Sequence, residues 1–147
     1  MRLAAHPNNC FRPTGLGRSG PTRARPTEET IHRAVVDVLE RAATPGIAWT
    51  HMPAGEARAK GVAGKLKGMG VKAGWPDLLI VKGGRLYGLE LKAESGRVSP
   101  AQVAACAALR AAGAEIAVAY GLDAALDQLA RWGAVRVSGA RAHDPPA

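Results

Sequence analysis

Residues 76–92 read PDLLIVKGGRLYGLELK, and this stretch decides the fold. Two apolar runs flank Gly83-Gly84, a two-residue turn of the kind that folds antiparallel strands into a hairpin. The turn pairs Lys82 with Arg85, and the same register carried outward sets Asp77 opposite Glu90. Opposed residues share a sheet face with Cβ atoms roughly 4.5–5.5 Å apart. Lys92, two residues beyond Glu90, points to that same face because strand side chains alternate. Three ionisable groups therefore converge at one end of an otherwise apolar hairpin.

Like charges placed opposite each other destabilise a sheet, and buried charges are costly unless paired or bound to metal. A divalent cation offsets both costs, since Mg²⁺ prefers one or two carboxylates, several waters and phosphate oxygens. Such an ion polarises a phosphoryl oxygen and lowers the pKa of bound water. Lys92 would then position that water, assist its deprotonation, or hold charge developing on the phosphate. The plainer alternative is that Asp77 opens a strand into solvent, with Glu90 and Lys92 partners on an exposed face. Against it, Glu90 and Lys92 interrupt a run whose neighbours demand burial.

Composition sets the class of partner. The chain has 147 residues, one domain's worth, with 47% hydrophobic and 22% charged residues, as in a soluble globular protein. Aromatic content is only 4%, so the core must be aliphatic. A net charge of +8 predisposes a small protein to polyanions, nucleic acid first among them, although a generic basic surface has the same charge. Cys10 and Cys106 match no metal or redox spacing, and Cys106 reads as a small core residue. The expected setting is reduced and cytoplasmic, with no membrane span and no apolar signal core.

Residues 1–26 hold five arginines and no acid among many Pro, Gly and Asn, and read as a disordered basic arm, either a passive leader or a phosphate contact. Residues 139–147 read as a flexible tail, leaving 27–138 as the folded domain. Within it, Thr27 caps a helix with Ile31, Val35, Val38 and Leu39 on one face. GIAWTHM is a short strand, and the basic stretch 55–70 one poor helix within a long loop. After the hairpin, Ser99 caps a helix with Pro100 at its first position and an apolar face through Val103 and Leu109. EIAVAY is a strand, LDAALDQLARW a helix and AVRVS a last short strand. The order implies an α/β fold, a mixed sheet with helices on both faces.

With Gly74, Pro76, Asp77, the Glu90-Leu91-Lys92 triplet and SGRVSPAQ in view, the chain resembles the VRR-NUC family, a branch of the PD-(D/E)XK nucleases, from about Thr27 to Gly113. The resemblance implies an αβββαβ core and metal-dependent cleavage of DNA phosphodiester bonds, with standalone microbial and phage members acting on branched DNA, such as Holliday junctions, as homodimers. It implies that Asp77, Glu90 and the Leu91 carbonyl ligate Mg²⁺ or Mn²⁺, and that Lys92 serves the attacking water. Gln102 matches a polar active-site position, but also stands as the third helical residue of a capping box with Ser99. A first-helix acid corresponds to Glu28 or Glu29. Both suit a helix N-terminus, and Glu28 is preferred because it shares a face with His32.

Upstream, WTHMPAGEARAKGVAGKLKGMGVKAGWPD resembles the family's H-x-P-N-G segment and the basic residues after it, with Ala54 in place of asparagine. His51 would approach substrate, and Arg58, Lys60, Lys65, Lys67 and Lys72 would contact phosphates without reading sequence, unless they form a solvated basic face. Trp75 either meets substrate or caps the core. No helix-turn-helix or zinc finger is present to read bases. A structure-selective endonuclease is therefore the expectation. The competing readings are a non-catalytic nucleic-acid-binding protein, and a flap-, RNA- or restriction-type nuclease that needs a partner.

Overall fold

The computed structural model describes residues 24–53 and 60–136. Arg58, Ala54, most of the basic arm and the tail from 139 lie outside the described residues. Four strands form one sheet in the order β1 (Ile47–His51), β2 (Leu78–Lys82), β3 (Arg85–Lys92) and β4 (Glu115–Tyr120). The first three pair antiparallel, and β4 lies parallel to β3. The hairpin register is the expected one, with Lys82 opposite Arg85 and Leu78 opposite Leu89. Gly83 and Gly84 take φ of 56° and 76°, the left-handed pair that this turn requires.

Helix α1 (Glu28–Ala42) starts where the Thr27 hydroxyl accepts the Thr30 N–H at 3.2 Å, and Glu28 and Glu29 face its positive end. Ile31, Val35 and Leu39, spaced four apart, are buried with Leu78, Ile80, Leu89 and Leu91 of the hairpin. Helix α4 (Leu122–Arg131) adds Ala125 and Leu129 to this core. Each fully buried Leu or Ile of this set contributes about 1.5–3 kcal/mol. Helix α3 (Pro100–Ala111) belongs to a second cluster, where Cys106 and Leu109 meet Ile116 with Trp75 and Leu86 against them. A parallel β3–β4 pair needs a long crossover, and α3 supplies it.

Two expectations are corrected in detail. Val103 is 58% exposed, because the buried side of α3 runs through Cys106 and Leu109 instead. Val135 makes only an isolated bridge to Ala43, so AVRVS adds no strand to the sheet among the described residues. The helix expected within the basic stretch is present as α2 (Lys60–Gly68), nine residues long.

Two glycines let the site close up. At Gly74, φ is +81° and an added Cβ would lie 2.3 Å from the Ala101 carbonyl oxygen, so only glycine lets this loop pass beneath the start of α3. At Gly88, in mid-strand, a Cβ would meet Ile116 Cδ1 at 2.6 Å and Pro76 Cγ at 2.8 Å. The gap left by Gly88 seats the buried Pro76 ring and so sets the residue that follows it, Asp77.

Candidate active site

The alternation of β3 sends Leu89 and Leu91 into the α1–α4 core and turns Glu90 and Lys92 the other way. Neither charge reaches solvent: Glu90 is 1% exposed and Lys92 6%. Lys92 Nζ donates to Glu90 Oε1 at 2.6 Å and lies 3.7 Å from Glu28 Oε1. Gln102 Nε2 also donates to Glu90 Oε1. The other carboxylate oxygen, Glu90 Oε2, is buried with no hydrogen-bond partner. Asp77 closes the group, its Oδ2 accepting the Leu91 N–H at 2.8 Å.

Electrostatics follow from this crowding. Burial pushes the Glu90 carboxyl above its ordinary range; Asp77 and Glu28 push the same way, and the Lys92 hydrogen bond only partly opposes them. For Lys92, burial works against the charge, but the hydrogen bond to Glu90 and the charges of Glu90, Glu28 and Asp77 prevail and hold its pKa above the ordinary value. Lys92 is therefore an ammonium at neutral pH.

Gln102 caps α3 and also reaches the candidate site. Its side-chain oxygen accepts the Ser99 N–H at 2.8 Å and its own N–H donates to Ser99 Oγ at 3.3 Å, which is the capping box; its amide nitrogen holds Glu90. Glu28 and Glu29 separate cleanly. Glu29 pairs with Arg33 at 2.7 Å along the helix, whereas Glu28 turns to Lys92. A Cβ on Gly96 would approach Glu28 Oε1 to 2.9 Å and Lys92 Cδ to 3.1 Å, so the loop before α3 presses against this pair.

His51 Nδ1 lies 3.0 Å from the Asp77 carbonyl oxygen; since a carbonyl only accepts, this nitrogen carries the proton. Met52 N–H donates to the same carbonyl at 2.8 Å. His32 meets His51 edge-on at 4.4 Å between ring centres, a contact the sequence reading missed. Burial and the neighbouring His51 lower the pKa of His32, with Asp77 opposing, so the ring is neutral at pH 7. These residues line one cavity of about 600 Å³ with Asp77, Glu90, Lys92 and Gln102. Lys65, Lys67 and Lys72 are exposed on and just after α2, outside it, while Lys60 opens that helix.

Among the described residues no group of three or more His, Cys, Asp or Glu side chains is arranged to hold a metal ion. A site of two carboxylates is below that number, and it is what Mg²⁺ ordinarily takes from a protein. The unpartnered, buried Glu90 Oε2 beside Asp77 fits such an ion, because a buried carboxylate oxygen otherwise needs a donor.

A four-stranded mixed sheet flanked by helices, with a proline–aspartate at one strand and a glutamate–x–lysine on the next, is consistent with the PD-(D/E)XK nuclease fold. The chain is a structural match to a solved VRR_NUC domain protein, with a TM-score of 0.61 and 27% sequence identity over 74% of this chain and 88% of that one. A second solved chain, described as a VRR_NUC domain, aligns with a TM-score of 0.47 and 20% identity over 71% of this chain and 94% of that one. No family model and no curated protein matches the chain. The structural match suggests a nuclease-type function. Among the described residues no helix is long and apolar enough to cross a membrane.

Proposed function

We propose that this protein is a metal-dependent, structure-selective DNA endonuclease that hydrolyses phosphodiester bonds in branched DNA such as Holliday junctions, with residues 27–138 as its nuclease domain. One observation carries the reading: a buried carboxylate with an unpartnered oxygen, set between Asp77 and an ammonium, at the floor of an open cavity. Asp77, Glu90 and the Leu91 carbonyl would hold Mg²⁺ or Mn²⁺, which when bound supplies Lewis acidity toward the phosphate and its attacking water. Lys92, charged at neutral pH, orients that water and holds negative charge developing on the phosphate. Gln102 keeps Glu90 in place, and Glu28 keeps Lys92 from swinging away. His51 holds the Asp77 backbone and faces the space that substrate would occupy.

Arg58, Lys60, Lys65, Lys67 and Lys72 would bind phosphates, offsetting the repulsion between DNA and an acidic site. Two copies would cut the two strands of a junction symmetrically, which favours a homodimer. The reduced interior of a cell suits the setting, with Cys106 an unoxidised core residue.

The test is cleavage of labelled four-way junction, flap, duplex and single-stranded DNA with Mg²⁺, Mn²⁺ or EDTA. Wild type should cut the junction in paired nicks only with metal. Asp77→Asn should abolish cutting while keeping or strengthening binding, because carboxylate–phosphate repulsion is relieved. Lys92→Ala should lose turnover with metal affinity little changed. Wild-type rates from either variant, or cutting in EDTA, would overturn the assignment.

A further inference from the structure

We propose that a groove beside the active site binds an unpaired nucleobase of the substrate strand; the proposal rests on the nuclease reading but is tested apart from it. The groove encloses about 380 Å³ and is lined by Met52, Pro53, Leu66, Val71, Lys72 and Trp75. It lies within the roughly 300–1,000 Å³ range of small-ligand sites. Met52 and Pro53 also line the catalytic cavity, so the two depressions share a wall. A strand whose phosphate lies at Asp77 and Glu90 would have a neighbouring nucleotide over this groove.

The chemistry of the lining selects the occupant. Trp75 is backed by Cys106, Leu109 and Ile116, so its ring is a fixed platform and not a floating surface side chain. Leu66, Val71, Met52 and Pro53 supply apolar walls, and Val71 is 44% exposed with nothing described covering it. Lys72 stands at the same groove, with Lys65 and Lys67 on the helix that carries Leu66. An aromatic platform with apolar walls and a cation suits a base with its attached phosphate. Paired bases are committed to the duplex stack and cannot enter, so the groove would select nucleotides freed at a branch point. Trp75 thus has both roles open to it in the sequence: one side packs on the core and another lines the groove.

The test uses full-length Lys92→Ala protein, which should bind without cutting, and oligonucleotides with a short unpaired stretch carrying 2-aminopurine at each unpaired position in turn. One or two positions should be quenched by stacking. In this background Trp75→Leu removes the platform, and Val71→Gln places an uncharged polar chain in the mouth at an exposed site that leaves folding intact. Each should weaken binding to the unpaired substrate by roughly fivefold to a hundredfold and abolish the quench, with fully paired duplex changed by less than about twofold. Equal losses on both substrates, or no loss on either, would overturn the proposal. So would a Val71→Gln protein that turns from dimer to monomer in sedimentation yet binds unpaired strands normally, since the groove would then join two copies. Cutting by wild type without any quenched position would sink this inference and spare the nuclease. A quench that both groove substitutions abolish, with no cutting by wild type under any metal, would do the reverse.

Discussion

Glu90 and Lys92 occupy buried positions of a strand whose neighbours are apolar, where leucine and methionine have similar volume. Removing two charges from water costs several kcal/mol per ion, and a buried pair often does no better than apolar residues of similar size. Here the pairing is also incomplete, since Glu90 Oε2 has no partner. We therefore expect the double variant Glu90→Leu/Lys92→Met to be at least as stable as wild type in urea denaturation and to be inactive. Glu90→Leu alone should cost about 3–5 kcal/mol, because it strands the Lys92 ammonium with only Glu28 at 3.7 Å. A double variant clearly less stable than wild type would mean that the pair serves the fold. The sequence exposes these residues because a two-residue turn fixes its register, and two charges then stand out among apolar neighbours. It leaves Glu28 and Glu29 unresolved, since their distinction depends on Arg33 capturing one and Lys92, distant in sequence, the other. The His32–His51 contact is invisible for the same reason: it joins two elements that no local pattern relates.

Helix α3 is tied to the candidate site through its first turn. Ser99 and Gln102 cap it, and the same Gln102 amide reaches Glu90. The two functions separate by substitution. Ser99→Ala should cost about 1 kcal/mol of stability, as loss of a cap does, with cleavage largely retained. Gln102→Ala should lose the reciprocal half of the box and also leave Glu90 held by Lys92 alone, so activity should fall well beyond what stability explains. Denaturation and cleavage rates measured on both variants check this, and parallel behaviour would reduce Gln102 to a cap. Caps and turns were legible because their determinants lie within four residues. The face of α3 is only partly legible: Cys106 and Leu109 are buried as expected, but alanine at most positions leaves too little hydrophobic contrast to show that Val103 faces outward. Gly74 and Gly88 mattered for a reason no propensity carries: each makes room for a group from elsewhere in the chain, Ala101 for one and Pro76 with Ile116 for the other.

Across the whole molecule, the sign of the charge differs with distance from the site. Glu28, Glu29, Asp77 and Glu90 line the cavity, while the chain carries a net +8. The field of the protein would therefore draw DNA in, and the site itself would repel phosphate until the carboxylates are offset. Lys65 and Lys67 test this division, because they also have a local explanation: they lie in the last turn of α2, where cations favour the helix dipole. If they only serve the helix, replacing both with glutamine should slightly lower its stability and leave DNA binding alone. If they bind phosphates, affinity should fall alike for every sequence, and the slope of log affinity against log salt should flatten by roughly one to two. We expect the second outcome, read by anisotropy titrations of Lys92→Ala protein on junction DNA across a range of salt. An unchanged slope would return α2 to a solvated basic face and leave the attraction of DNA to the rest of the chain.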